Sequence, residues 1–223
     1  MKLNCKLQLY NIYKILLNKF GNQNWWPTIS NDKKRKRLEI CIGAILTQNT
    51  NWKNVEKSIL NLYKANILDE NRLRDISIKK LALLIRPSGY YNIKAKRIKA
   101  FLSFLKTYTL EKIEKTETNK ARELLLSVYG IGKETADSIL LYAFDKPIFV
   151  IDAYTKRIFT HVLKLKFDSY EEWQRFFMNN LPHIPKLFNE YHALLVKLGK
   201  EYCRTKPLCK NCPLYTMPCR LTS

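Results

Sequence analysis

The chain has 223 residues, enough for a sizeable hydrophobic core in one large domain or in two smaller lobes. Its 40 Lys and Arg against 19 Asp and Glu give a formal net charge of +21, which favours nucleic acid as a partner over acidic membrane surfaces or ribosomal RNA. No apolar stretch approaches the roughly 20 residues that span a bilayer, and the start lacks the apolar region of a signal peptide. We therefore expect a cytoplasmic protein without membrane contact.

Apolar spacing is helical along almost the whole chain, as in Leu9, Ile12 and Leu16. It predicts an all-α protein with helices at residues 6–20, 34–47, 51–66, 70–76, 78–85, 91–107, 118–127, 133–144, 153–165, 170–180 and 186–203. Strand-like alternation is scarce, and its best candidate, 147–151, reads equally well as a buried connector. Two basic groups, at 33–37 and 94–99, are candidates for DNA contact or for solvated faces.

Residues 124–140 combine a helix, a Gly-Ile-Gly turn and a second helix. Gly130 and Gly132 let the backbone approach a ligand closely, and the amides and dipole at the start of the second helix form a site for a phosphate oxygen. Ile131 is expected to tuck beneath the turn, and Lys133 adds charge beside it. A lone Gly-x-Gly is a weak signal, but the flanking helices and Thr135 favour a phosphate-binding hairpin over a generic turn.

Asp152 follows the apolar run 148–151 and immediately precedes renewed helical spacing. From its position alone we expect a helix N-cap, whose side chain accepts hydrogen bonds from the amides of the next turn.

Four of the six cysteines crowd near the C-terminus, separated by five, two and six residues: Cys203, Cys209, Cys212 and Cys219. Four thiolates can bind zinc or a [4Fe–4S] cluster. Zinc usually takes two Cys-x-x-Cys pairs and this segment has one, so the spacing favours iron–sulfur. Cys5 and Cys41 lie alone in helical patterns and read as ordinary buried small residues.

Together these motifs resemble the endonuclease III superfamily of helix-hairpin-helix DNA glycosylases. The resemblance is carried by 130–136 with 150–152, and by 46–50, which is similar to the Gln-bearing helix end that family members insert toward DNA. Residues 25–27, 51–53 and 87–92 resemble the 3-methyladenine glycosylase branch, so that similarity covers most of 20–220. The family's common cysteine spacing is six, two and five, and the outer gaps here are exchanged.

The resemblance implies a two-lobed helix-hairpin-helix fold with base extrusion into a pocket between the lobes. A six-helix lobe is expected at 30–148, with the hairpin at about 124–144, and a second lobe at 1–29 plus 149–223, with a [4Fe–4S] cluster loop at 203–219. The implied activity is removal of a damaged base from double-stranded DNA by a monomeric, nucleoid-associated enzyme.

The resemblance also implies a role for individual residues. Asp152 is the catalytic carboxylate that stabilises the positive charge building on the sugar. The DNA backbone is gripped by Gly130, Ile131, Gly132, Lys133 and Thr135. The pocket that receives the flipped base is expected to be lined by Trp25, Trp26, Trp52 and Glu134. The gap that the base leaves in the duplex is expected to be filled by Gln48 or Asn49.

Glu134 occupies the position where strand-cleaving family members carry an imine-forming lysine. A carboxylate cannot form an imine, and Lys133 is turned away by about 100° of helix, so we expect a monofunctional glycosylase. Aromatic faces suit a cationic alkylated purine such as 3-methyladenine, and the absence of an acid in 42–45 argues against adenine-mispair repair. The alternatives are a thymine or uracil mismatch glycosylase, an endonuclease III-like glycosylase with lyase activity, and a non-catalytic DNA-binding iron–sulfur protein.

Overall fold

The computed structural model describes residues 5–215, and no strand occurs within them, so the all-α prediction is confirmed. None of the helices in this range is long and apolar enough to cross a membrane. The α-helices are α1 Cys5–Phe20, α2 Lys33–Leu46, α3 Trp52–Lys64, α4 Glu70–Asp75, α5 Ile78–Leu84, α6 Tyr91–Phe104, α7 Leu110–Lys115, α8 Thr118–Leu126, α9 Lys133–Phe144, α10 Ala153–Val162, α11 Tyr170–Asn180 and α12 Pro185–Glu201.

The chain divides into two compact units, which we call the central unit, Trp26–Lys146, and the terminal unit, residues 5–25 with 147–215. The central unit holds eight α-helices, α2 to α9. Its short helices α4 and α7 have six residues each. Both are stabilised by an N-cap, since the side chains of Asp69 and Thr109 accept hydrogen bonds from backbone amides of the following turn. Helix α7 was not among the predicted helices.

The core of the central unit is built on α2 and α9, which lie against each other. Helix α2 is buried without interruption from Leu38 to Leu46, and α9 is buried almost throughout from Thr135 to Phe144. A helix that is apolar on all sides has to be covered on all sides, which explains their central position. Cys41 is fully buried in α2, as its sequence context predicted. The end of α2 and the start of α9 are therefore held firmly by the core.

The core of the terminal unit is aromatic. The rings of Phe149 and Phe177 stack with their centroids 4.4 Å apart, and the Phe159 ring meets Phe177 edge-on at a centroid distance of 4.8 Å. The Tyr191 hydroxyl donates to the Leu9 carbonyl at 2.8 Å, which ties α12 to α1. Residues 147–152 run through this core as a buried connector rather than a strand, so the backbone that leads into α10 is fixed on both sides.

Candidate functional site

The hairpin turn lies between α8 and α9 and depends on Gly130. This residue has φ +80°, and a Cβ there would overlap the side chain of Arg97 from α6. Ile131 is buried beneath the turn, as predicted, with its amide donating to the Val128 carbonyl at 3.1 Å. Gly132 is the N-cap of α9 and supplies no side-chain hydrogen bond, so the protein leaves this helix N-terminus without a side-chain cap.

The second helix of the hairpin is held in place by an ion pair with the first. Arg122 on α8 donates through Nε to Asp137 Oδ1 at 2.6 Å and through a terminal nitrogen to Oδ2 at 3.2 Å. The Asp137 side chain is fully buried, so the two-bond geometry is shielded from water and screened little by salt. The angle between the two helices is therefore fixed by charge as well as by packing.

The Gln48 side chain connects the loop after α2 to the hairpin. Its Nε2 donates to the Gly130 carbonyl at 2.9 Å and to Thr135 Oγ1 at 2.9 Å, and its Oε1 accepts from an Arg97 guanidinium nitrogen. Thr135 is itself buried, so its hydroxyl meets Gln48 rather than solvent.

An open groove of about 530 Å³ runs along this contact. It is lined by the loop residues, the hairpin turn and the first turn of α9, namely Thr47, Gln48, Asn49, Arg97, Gly130, Ile131, Gly132, Glu134 and Thr135. The structure thus brings together most of the residues expected to touch the DNA backbone or fill the gap. Lys133 and Glu134 are both exposed, and only Glu134 lines the groove.

The loop that carries Gln48 is anchored by a buried lysine. Lys94 on α6 is 1 % exposed and donates through Nζ to the Leu46 carbonyl at 2.8 Å and to the Ser88 carbonyl at 2.7 Å. A cation at these carbonyls satisfies the C-terminal end of α2. Burial, and secondarily the charge of Arg97, lower the pKa of Lys94 to about 8.

Asp152 is the N-cap of α10, as its position predicted, with Oδ1 accepting from the Thr155 amide at 2.7 Å. The residue is 9 % exposed, and its Oδ2 lies 3.7 Å from Nε2 of His192 on α12. Burial lowers the pKa of His192, while the Asp152 charge acts in the opposite direction. The terminal unit therefore presents a buried carboxylate at a helix N-terminus beside a buried imidazole.

The tryptophans fall into different surroundings. Trp26 and Trp52 meet edge to face in the central unit, with ring centroids 5.0 Å apart, and they line a cavity of about 260 Å³. The indole of Trp52 donates to Glu56 at 2.7 Å, and the buried Glu39 on the same cavity accepts from two backbone amides. Trp25 belongs to the terminal unit and is half-buried.

Much of the first basic group is paired within the central unit. Lys33 and Arg37 both contact Glu114 on α7, and Lys34 lies 3.6 Å from Glu111. Arg37 holds the pKa of Glu114 at about 2. These contacts favour a structural role for that run, whereas the second group supplied the two residues that fix the groove, Lys94 and Arg97.

The cysteine segment follows α12 in the terminal unit. Cys203, Cys209 and Cys212 line one cavity together with apolar residues, and the last two are joined by a 3₁₀ turn. Arg157 donates to the Cys203 carbonyl at 2.7 Å, and burial raises the pKa of the Cys203 thiol. Within residues 5–215 no three His, Cys, Asp or Glu side chains form a metal-holding group, and Cys219 lies outside the described residues.

Three residues of these sites were not singled out from the sequence: Lys94, Arg97 and His192. The first two were noted only as members of a basic helical group. Nothing local marks His192, because its neighbour Asp152 is 40 positions earlier in the chain.

The fold and the matched family are those of base-excision repair enzymes of the DNA glycosylase class. The profile of the HhH-GPD superfamily base excision DNA repair proteins matches residues 42–183, and the chain belongs to this superfamily. The chain is 47 % identical over 219 residues to a protein of Methanocaldococcus jannaschii that is named as an inferred DNA repair glycosylase. The matched region covers 96 % of this chain and 97 % of that one.

Solved structures agree with this assignment. The Helicobacter pylori 3-methyladenine DNA glycosylase bound to 1,N6-ethenoadenine is 33 % identical, with a TM-score of 0.74 over 89 % of this chain and 98 % of that one. An endonuclease III trapped covalently on DNA is 21 % identical, with a TM-score of 0.78 over 96 % of this chain and 95 % of that one, and shows the same fold.

Proposed function

We propose that this protein is a monofunctional glycosylase that acts as a monomer and releases alkylated purines, 3-methyladenine among them, from double-stranded DNA. The observation that carries the chemistry is the Asp152 carboxylate, buried at the N-terminus of α10 with one oxygen held by the Thr155 amide. The 33 % identity to the 3-methyladenine glycosylase supports the choice of substrate.

Cleavage of an N-glycosidic bond builds positive charge on the sugar, which a fixed carboxylate stabilises. The electron pair of the breaking bond leaves with the cationic purine, which departs neutral. The water oxygen bonds to the sugar carbon, and its proton passes to Asp152 and then to solvent. The Thr155 amide holds one Asp152 oxygen in place at the N-terminus of α10 before the reaction starts.

The proposal assigns recognition of the base to the Trp26–Trp52 face. A cationic purine is attracted to the faces of indole rings, and such attraction strengthens where water is excluded. Glu56 holds the Trp52 indole from the same helix and adds negative potential beside the rings. Because an alkylated purine already has a weakened bond, selection by stacking and charge is sufficient, and no general acid is needed to activate the leaving group.

The absence of a lyase step rests on Glu134. It is exposed, lines the hairpin groove and stands where an imine-forming amine is required, while Lys133 does not line that groove. The product is therefore an abasic site with an intact strand.

A panel of damaged duplexes tests this function. We expect release of 3-methyladenine, no release of thymine glycol, slower release of uracil opposite guanine, and no enzyme–DNA adduct after borohydride reduction. Faster release of uracil or thymine from mispairs would favour the mismatch glycosylase instead. A borohydride-trapped adduct would favour the endonuclease III-like alternative, and binding without release of any base would favour a non-catalytic role.

Two variants sharpen the assignment of the base site. Trp52→Ala should lower release of cationic purines by roughly tenfold, the factor that corresponds to one cation–π contact of about 1–2 kcal/mol. Trp173→Phe, which alters a buried indole in the terminal unit, is the control for a general effect of removing a tryptophan. Equal rates for wild type and Trp52→Ala would remove Trp52 from the pocket.

We further propose that Cys203, Cys209, Cys212 and Cys219 hold a [4Fe–4S] cluster. Support comes from the donor chemistry, since the three described cysteines line one apolar cavity. When bound, the cluster would supply cross-links that order the segment carrying Lys206 and Lys210. Anaerobically purified protein should contain iron and sulfide in equal amounts, Cys212→Ser should lose both, and the distant Cys5→Ser should retain them. Zinc in place of iron would contradict this assignment.

A further inference from the structure

His192 on α12 has its imidazole directed at the start of α10. Its Nε2 lies 3.7 Å from Oδ2 of Asp152, and both residues are buried. The other carboxylate oxygen, Oδ1, accepts from the Thr155 amide at 2.7 Å. Each oxygen of the carboxylate therefore has its own neighbour, a backbone N–H on one side and an imidazole nitrogen on the other.

The imidazole can act on Oδ2 while it is neutral. A neutral imidazole carries one N–H, and a proton on Nε2 would point it at Asp152. Burial favours the neutral form and lowers the pKa of His192. Hydrogen bonds from nitrogen to oxygen span about 2.7–3.2 Å, so the 3.7 Å here is an open contact. Such contacts of catalytic groups are often long before substrate binds and shorten in the complex.

Asp152 is the main electrostatic neighbour of His192. Helix α12 packs against α1 and α10. Within residues 5–215, the charge that shifts the pKa of His192 is the Asp152 carboxylate, which raises it against the effect of burial. Titratable side chains of the two packed helices face other groups, since Tyr13 meets Tyr191, Lys14 lies over Tyr10, and Arg157 lies over Tyr154. The charge of His192 is therefore governed by burial and by Asp152.

We propose that His192 is a positioning residue, whose neutral imidazole donates from Nε2 to Oδ2 and fixes the plane of the Asp152 carboxylate without cancelling its charge. This inference rests on the proposed function, because it assumes that Asp152 opposes the positive charge on the sugar. A protonated His192 would still donate to Oδ2, but its positive charge would offset the negative charge that stabilises the sugar cation. The imidazole therefore has to be a donor and uncharged at the same time.

Two substitutions separate the donor from the charge. His192→Gln keeps an N–H donor that never gains a proton, whereas His192→Leu has no donor. In single-turnover release of 3-methyladenine at pH 7.5, His192→Gln should stay within about twofold of the wild type, and His192→Leu should lose roughly tenfold, the factor for one hydrogen bond to a charged group. Below pH 6.5 the wild type should lose rate relative to His192→Gln, by at most about tenfold per pH unit for one proton.

Tyr191→Phe is the matched control for a general disturbance of α12. Tyr191 is the adjacent residue, is fully buried, and donates to the Leu9 carbonyl at 2.8 Å. We expect this variant to melt at a lower temperature and to keep the rate and the pH profile of the wild type. A pH profile altered as much as in His192→Gln would show that the effect comes from the packing of α12, and would overturn the inference.

Imidazole ¹H–¹⁵N NMR gives a readout that needs no substrate. The chain has three histidines, His161, His183 and His192, and His192→Gln identifies the signal of the third. We expect a neutral ring with its proton on Nε2, and a pKa that falls further in Asp152→Asn, because the carboxylate raises it. A proton on Nδ1, an unchanged pKa in Asp152→Asn, or identical pH profiles of wild type and His192→Gln would each overturn the inference.

The two assays distinguish a wrong substrate from a wrong role for His192. If the wild type releases no alkylated purine, the proposed substrate fails, and the NMR titration still decides whether the imidazole N–H faces the Asp152 charge. If the wild type releases 3-methyladenine and His192→Leu is equally fast, Asp152 acts without help from His192 and the inference alone fails.

Discussion

Helices α9 and α10 begin in two contrasting ways. Helix α9 starts at Gly132, which has no side chain to cap the helix, and its first turn lines an open polar groove. Helix α10 starts at Asp152, whose carboxylate accepts from the Thr155 amide and is buried beside His192. The positive end of one helix is left for an external anion, and that of the other stabilises an anion of the protein itself. In the proposed function, the start of α9 would bind a DNA phosphate, and the carboxylate at the start of α10 would take part in the chemistry.

The largest effect should come from removing the charge at α10 while keeping its cap. Asp152→Asn retains an N-cap oxygen but not the charge, so the rate of base release should fall by roughly 10²–10³ with DNA affinity nearly unchanged. Single-turnover excision measures the rate of base release, and binding to a duplex that contains a tetrahydrofuran abasic-site analogue measures the DNA affinity. Asp69→Asn, the same change at the N-cap of α4, should alter neither. Loss of binding in Asp152→Asn would show that the two helix starts do not divide binding and chemistry between them.

A smaller loss is expected at the C-terminus of α2 in the central unit, where Lys94 donates to the last carbonyls. Lys94→Met leaves the Leu46 and Ser88 carbonyls without their donor, which should lower the free energy of unfolding by about 2–3 kcal/mol. Chemical denaturation measures this change, and Lys96→Met, an exposed lysine of the same helix, should cost little. If both variants were equally stable, Lys94 would not anchor the loop.

The lowered pKa of Lys94 adds a pH dependence. From about pH 8 to 10.5 the unfolded chain keeps a proton that the folded chain has lost, so the stability of the wild type should rise with pH relative to Lys94→Met. The rise is at most about 1.4 kcal/mol per pH unit for one group. Below pH 8 both states are protonated and the difference should be flat. A difference that falls with pH above 8 would contradict the lowered pKa.

The hairpin turn should be sensitive at one glycine and tolerant at the other. Gly130→Ala places a Cβ at φ +80° and against Arg97, and should cost about 2 kcal/mol of folding stability with weaker binding to undamaged DNA. At Gly132 a Cβ meets nothing within 4 Å and φ is −90°, so Gly132→Ala should leave stability unchanged. Thermal unfolding of the two variants compares them directly. Equal stability would mean that the turn does not depend on the approach of Arg97.

The smallest effect concerns the imidazole beside Asp152. Because burial lowers the pKa of His192 below its ordinary 6.5, the unfolded chain binds more protons as pH falls through 6.5, and the folded state loses stability there. His192→Gln should lack this loss. As the pH falls by one unit, the free energy of unfolding of the wild type should therefore fall by about 1 kcal/mol relative to that of the variant. Denaturation at pH 5.5 and 7.5 tests it. If the wild type instead became more stable than the variant on acidification, the pKa of His192 would be raised and its pairing with Asp152 would dominate.

Features that depend on a few adjacent residues were well predicted. Helix α11 begins and ends at the expected residues, Ile131 lies beneath its turn, and Asp152 caps α10. The two residues that anchor the loop after α2 and the hairpin turn were not predicted to do so. Lys94 and Arg97 looked like ordinary members of a basic helix face, because a lysine is rarely buried and nothing near them in the chain reveals their partners.

The amino-acid sequence by itself determined the helical class, the hairpin turn and the capped carboxylate, since capping and turn energies depend on backbone groups within about four residues. Only the tertiary structure decided that the Gln48 amide would bind Gly130 and Thr135, which lie 82 and 87 positions later in the chain. The same holds for the bond from Lys94 to the Leu46 carbonyl, 48 positions away. Those contacts depend on how α2, α6 and α9 pack together, and packing is set by the burial of many side chains at once. The two ways of starting a helix could thus be predicted from the sequence, but the contacts that Gln48 and Lys94 make across the central unit could not.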